Sequence, residues 1–198
     1  MKILISGFKP FLGEKINPSG KLALELQEKF PEVISVILPV EFKTSFYILE
    51  REIRNIEPDF VIMLGQSAGR EKICFEKIGL NWIETLNADE GGAIPVTGLI
   101  EKNEPLAIMS KFPFEEHLKN LKNKKLPVEV SFSAGTFVCN ELYFKTLNEF
   151  KTLKAVFIHV PLIAEQIDQQ TLELKKIFLD YATQLQTLTE LLHGMRGY

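Results

Sequence analysis

Cysteine is scarce in this chain: Cys74 and Cys139 are the only two among 198 residues. That excludes a disulfide-stapled scaffold and leaves two thiols, structural or reactive. Basic excess is missing as well. The net charge is -3, and the one Lys-rich stretch, residues 122–125, reads as a solvated helix end. Nucleic-acid binding therefore has no electrostatic footprint. No apolar run approaches the roughly 20 residues of a membrane span. The opening Met1-Lys2-Ile3-Leu4-Ile5-Ser6-Gly7 lacks the long apolar region and cleavage site of a secretion signal, and reads as a first strand. A Lys-bearing phosphate loop is also absent: Gly65-Gln66-Ser67-Ala68-Gly69-Arg70 is too short for one. Repeats, low-complexity tracts and linkers are missing too, so residues 1–198 read as one domain. The expectation is a cytoplasmic protein with no membrane or nucleic-acid partner.

What is present is an alternation of apolar runs and helical patterns. Residues 2–6, 33–38, 59–64, 72–80, 128–132 and 155–160 read as strands. Residues 18–30, 44–56, 114–121, 137–150 and 171–192 read as helices; in 44–56, Phe46, Leu49, Ile53 and Ile56 lie at helical spacing. Residues 86–105 form a long polar loop, a length usually tied to function or motion. This β-α-β order predicts an α/β fold, a three-layer α/β/α sandwich around a largely parallel, mixed sheet. Ligands of such sheets lie beyond the carboxyl ends of the strands. The loops after Ser6, Leu64, Phe132 and Ile158 are therefore expected to converge.

Those loops carry the chemistry. Ser133-Ala134-Gly135 turns the chain from a strand into a helix whose first turn holds Cys139. The positive end of a helix stabilises a thiolate, so a lowered thiol pKa is expected there. The alternative is a small cysteine packing helix on sheet. His159 ends an apolar strand just before Pro161, where an imidazole can take the thiol proton and return it to a leaving amine. His117, on a polar helix, and His193, in the tail, are poorer candidates. Glu76 is a carboxylate inside an apolar strand, costly there unless paired. Orienting His159 would supply the pair; an edge-strand contact with Lys77 or Arg70 is the alternative. Cys74 shares a strand face with Glu76 but has no helix terminus behind it. Phe8 and Phe11 flank Pro10 in a loop that should be polar, which suits a small apolar pocket or burial under the loop. Gln66 and the amides of its turn could bind an amide ligand or an oxyanion.

In this order the motifs resemble the pyroglutamyl peptidase type I family. Its opening Gly-Phe-x-Pro-Phe-Gly-Gly and Asn-Pro-Ser appear as Gly7-Phe8-Lys9-Pro10-Phe11-Leu12-Gly13 and Asn17-Pro18-Ser19. The match continues through Gly65-Gln66, Gly69-Arg70, Glu76-Lys77-Ile78-Gly79-Leu80-Asn81, Ser133-Ala134-Gly135, Cys139-Asn140 and Phe157-Ile158-His159-Val160-Pro161. The resemblance implies a Glu76–Cys139–His159 triad that removes N-terminal pyroglutamate from peptides through an acyl-enzyme, without metal or cofactor. It implies a pocket of Phe8, Phe11 and Phe137, with Asn17 and Gln66 at substrate-pocket positions, and a dimer or tetramer; Arg70 is a candidate oxyanion or supporting residue that could compensate for the family Arg missing at Leu86. Leu12 replaces the second motif glycine, Cys74 a Ser or Thr, and Leu86 stands at an Arg position. A related amidohydrolase with a shifted substrate and a catalytically weak lactam-binding protein remain alternatives. A phosphorylase of similar layered fold is disfavoured by the missing phosphate loop.

Overall fold

Continuous apolar runs make strands that are buried on both faces, and such strands take the middle of a sheet. The computed structural model describes residues 1–167 and 177–196. In chain order its elements are β1 (Ile3–Phe8), α1 (Pro18–Lys29), β2 (Val33–Leu38), α2 (Thr44–Ile56), β3 (Phe60–Gln66), β4 (Ile73–Glu76), β5 (Ile78–Leu80), β6 (Ala107–Met109), α3 (Phe114–Asn123), β7 (Val128–Ser131), α4 (Val138–Glu149), β8 (Lys154–Val160) and α5 (Tyr181–Met195), with a short 3₁₀ turn at Ala164–Gln166 before α5.

Six strands form one sheet in the order β2-β1-β3-β8-β4-β7, and β5 pairs with β6 in a separate ribbon. Strands β2, β1, β3 and β8 are parallel; β4 is antiparallel to β8 and parallel to β7. Alternation divides the core. Ile3, Ile5, Ile62, Leu64, Val156 and Ile158 face the side carrying Leu22 and Leu26 of α1, Leu118 of α3 and Leu188 of α5. Leu4, Val61, Met63, Ala155 and Phe157 face Leu49 of α2 and Val138 and Leu142 of α4. This is the expected three-layer α/β/α sandwich with a mixed sheet. Among the described residues no helix is long and apolar enough to cross a membrane.

Three expectations need correction. Residues 72–80 are two strands in two sheets, not one. Lys77 makes the transfer: its N–H donates to Ser131 O (2.7 Å), and its carbonyl accepts from Ser110 N–H (3.0 Å) on the other side. The expected closing helix 171–192 begins later. Residues 171–176 lie outside the described residues, and α5 starts at Tyr181 because Asp180 caps it, accepting from Thr183 N–H at 2.8 Å. Strand β7 runs against β8, so its carboxyl end points away from those of β1, β3 and β8. The segment after it turns back to start α4.

Candidate active site

The carboxyl ends of β1, β3 and β8 lie side by side, and α4 delivers Cys139 above them. Phe137 is the cap residue of α4, so Cys139 sits in the first turn. Two bonds fix the entry to this helix: Glu84 N–H donates to Thr136 O (3.2 Å), and Thr136 Oγ1 donates to Glu84 O (2.7 Å). Asn140 clamps the other side, accepting from Leu80 N–H (2.9 Å) and donating to Leu80 O (2.8 Å) and Trp82 O (2.9 Å).

The Sγ of Cys139 occupies the space above Gly65. A Cβ on Gly65 would lie 3.2 Å from that sulfur and 2.6 Å from the Phe157 ring. Gly65 is the register partner of His159 on β8, one strand away. The imidazole packs on Phe157, with ring centroids 4.8 Å apart. Its Nδ1 lies 2.8 Å from Oε1 of Glu76 on β4. Glu76 is fully buried, its Oε2 has no hydrogen-bond partner among the described residues, and its backbone carbonyl accepts from Tyr143 OH at 2.6 Å. Thiol, imidazole and carboxylate thus line up across three neighbouring strands, β3, β8 and β4, on one face of the sheet.

The helix start does not lower the Cys139 thiol pKa as expected. Burial pushes it up to about 12, the Glu76 charge adds to the rise, and the local backbone N–H works the other way. Even half-buried, the thiol gains less from the helix end than it loses by desolvation. Cys74 faces His159 from the opposite strand. Its Sγ donates to Lys72 O (3.2 Å) and Glu129 Oε1 (3.2 Å). Burial, reinforced by the Glu129 bond, raises it to about 12 as well, so neither thiol rests as an anion.

A cavity of about 340 Å³ opens beside the α4 cap, lined by Phe11, Val40, Phe137, Thr136, Leu12 and residues 84, 85 and 87–90. It does not reach Phe8, which is buried in the core at the end of β1. Asn17 is a structural residue in this geometry. Its Oδ1 accepts from Ser19 N–H (3.1 Å) and Ser19 Oγ (2.7 Å), and its Nδ2 donates to Lys9 O (3.0 Å). Gln66 ends β3 and accepts from Gln166 Nε2 at 2.9 Å. Arg70 lies at the Glu76 end of the line, 3.7 Å from Oε1. His117, expected on a polar helix, is buried and packs on Phe112 at 5.2 Å. His193, expected in the tail, belongs to α5 and packs on Phe30 at 5.2 Å. Leu12 adopts φ 53° and is 75% exposed on the cavity rim; Leu86 is 95% exposed.

Sequence reasoning missed two buried carboxylates that shape this region. Asp89 accepts from Phe42 N–H and Ala93 N–H, both at 2.8 Å. Glu141, raised in pKa by burial, accepts from Lys43 N–H at 2.8 Å. Together they hold the 42–43 turn, and the Phe42 ring meets Phe137 edge-on at 5.0 Å. Glu141 is one of three charges in the 137–150 helix, with Lys145 and Glu149, and gave no signal of its own; Asp89 sat in a polar loop and gave none. Among the described residues no group of three or more His, Cys, Asp and Glu side chains is placed to hold a metal ion.

The same arrangement of elements occurs in solved structures. Pyroglutamyl peptidase I from Bacillus amyloliquefaciens superposes with a TM-score of 0.90 at 30% identity, covering 98% of this chain and 93% of that one. Pyrrolidone carboxyl peptidase from Fervidobacterium islandicum gives a TM-score of 0.91 at 30% identity, covering 100% and 99%. Among curated proteins, a pyrrolidone-carboxylate peptidase of Thermosipho africanus is 35% identical, with 84% of each chain covered. One from Bacillus cereus is 36% identical, covering 83% of this chain and 80% of its own. The pyroglutamyl peptidase family model matches residues 1–189. With a thiol, an imidazole and a buried carboxylate on one sheet face, and with these relatives, the chain belongs to the pyroglutamyl peptidase family of cysteine peptidases.

Proposed function

We infer that this protein hydrolyses the amide bond after an N-terminal pyroglutamyl residue, with Cys139 as nucleophile, His159 as acid and base, and Glu76 as the partner that orients His159. The carrying observation is the 2.8 Å contact of His159 Nδ1 with Glu76, one strand away from a sulfur lodged above Gly65. Holding Nδ1 on Glu76 keeps Nε2 as the nitrogen that exchanges protons with the sulfur and the leaving group.

With the resting thiol near 12, attack and proton transfer go together. Sγ bonds to the pyroglutamyl carbonyl carbon as its proton passes to His159 Nε2. The oxygen that gains charge faces the start of α4, ahead of Asn140 and Glu141, whose N–H groups donate to Phe137 O. The tetrahedral centre collapses, the C–N bond breaks, and His159 protonates the departing amine. Water then gives a proton to His159, attacks the thioester and releases pyroglutamate with the free thiol.

Phe11 and Phe137 form the apolar walls for the flat lactam, while Phe8 supports their loop from the core. Asn17 and Gln66 serve by fixing the 9–12 loop and the end of β3. An unblocked amino terminus is rejected because the walls do not repay its desolvation. Residues 1–198 act as one domain in the cytoplasm, where two free thiols are stable. The exposed Leu86, Ile94, Val96 and Leu106 offer apolar surface for self-association as a dimer or tetramer.

The test is release of a chromogenic amine from a pyroglutamyl amide against the matching prolyl amide. Release from the first only is expected. No release from either contradicts the reading. Leu12 on the rim favours a second reading, a narrowed or shifted substrate range. Under it, Leu12→Gly raises kcat/KM for the pyroglutamyl amide, and unchanged kinetics remove it.

A further inference from the structure

We propose that Arg70 is a positioning residue of this site, holding the Glu76 carboxylate in place and aimed at His159, with Ser131 as its anchor. This rests on the triad reading above. Glu76 is fully buried, and a buried charge is tolerated only with partners. Arg70 supplies the one Lys or Arg side chain within 4.0 Å of it among the described residues, with Nη2 at 3.7 Å from Oε1. The same Nη2 donates to Ser131 Oγ at 3.2 Å. Ser131 is the register partner of Glu76 on β7, so the anchor stands level with the carboxylate.

The surroundings make this cation necessary. Glu129, the β7 partner of Cys74, brings a second carboxylate to the same face, with its Oε1 3.9 Å from Arg70 Nη1 and its Oε2 3.8 Å from Lys72 Nζ. The other groups around Glu76 are His159 on β8, Cys74 on β4 and Cys139 and Tyr143 on α4; none is a fixed cation. Without Arg70 the buried carboxylate turns away. His159 then loses the acceptor that fixes its tautomer.

The placement also rules out a direct role on the reacting carbonyl. The strand order puts the sulfur over β3 and Glu76 on β4, two strand spacings or roughly 10 Å apart. Among the described residues the Arg70 guanidinium meets Glu76, Glu129 and Ser131, at the β4–β7 end. The guanidinium therefore acts through Glu76 and His159, not on the substrate.

Steady-state kinetics of Arg70→Gln and Arg70→Lys on the chromogenic pyroglutamyl amide test this. Arg70→Gln should lower kcat about tenfold or more, as losing one charge-assisted contact implies, with KM little changed. Arg70→Lys should recover most of kcat. In nitrogen-15 NMR of the imidazoles, Arg70→Gln should lose the Nδ1-protonated signal of His159 and Arg70→Lys keep it; with three histidines in the chain, His159→Gln assigns it. Wild-type kcat in Arg70→Gln, a change confined to KM, or an unchanged His159 signal would overturn the proposal. If Arg70→Gln fails to fold, Arg70→Lys and Ser131→Ala carry the test: retained and partly reduced kcat respectively support it, and the reverse order overturns it. If wild type releases no amine, the peptidase reading fails, while the His159 signal still decides on Arg70.

Discussion

Gly65 and His159 stand level on neighbouring parallel strands, and the space a side chain on Gly65 would fill belongs to the sulfur of Cys139 and the ring of Phe157. The glycine is there for close approach. Gly65→Ala puts a methyl 2.6 Å from Phe157 Cζ, a ring with no room to yield. Overpacking of this kind costs about 1–3 kcal/mol. At this chain length the melting temperature should drop by roughly 2–4 °C per kcal/mol. Activity should fall further than stability, by about 100-fold in kcat/KM, because the sulfur is displaced by a fraction of a bond length or more. Unchanged kcat/KM in a folded Gly65→Ala protein would remove the sulfur from this position.

Burial of the Cys139 thiol sets the pH dependence of its alkylation. With the group raised to about 12, its thiolate fraction grows about tenfold per pH unit throughout pH 7–10. The iodoacetamide rate, measured in Cys74→Ser to isolate one thiol, should follow that slope without a plateau. A plateau below pH 9 would mean that a thiolate is formed in the resting enzyme, and that the helix end outweighs burial after all.

Asp89, on the cavity wall, accepts from two amides, the buried Phe42 N–H and the part-buried Ala93 N–H. Asp89→Ala orphans the buried Phe42 N–H, at roughly 1–3 kcal/mol, and frees the Ala93 N–H to water. It also frees the Phe42 ring that meets Phe137. A lower melting temperature and a raised KM are expected, with kcat affected less than KM. Asp89→Asn keeps one acceptor and should be milder. Wild-type melting and KM in Asp89→Ala would show that the 84–93 segment does not shape the pocket.

Much of this was legible in the sequence where period and capping agree. Residues 33–38 and 44–56 match their observed bounds, because a short apolar run and a helical stripe leave little choice. The Cys139 turn and the His159 strand end were equally readable from their flanking residues. The break at Lys77 was not, because both pieces are extended and only their hydrogen-bond partners differ. Nor was the line from sulfur to imidazole to carboxylate to guanidinium. It depends on β4 inserting antiparallel beside β8, which fixes the level of Glu76 against Phe157 and that of Cys74 against His159. Phe8 was misplaced because the first strand runs two residues further than expected on the pocket side and carries it into the core. The Cys139 pKa was misjudged for a related reason: the helix start is local and visible, whereas the Phe157 ring and the Glu76 charge arrive from other strands.

The central claim is that Cys139 carries the acyl group. Acid-quenched protein from a pyroglutamyl ester turnover, digested and weighed by mass spectrometry, tests it most directly. One pyroglutamyl group is expected on the peptide containing Cys139, and none in Cys139→Ala, which should also be inactive. An adduct on Cys74, or turnover that persists in Cys139→Ala, would contradict the account.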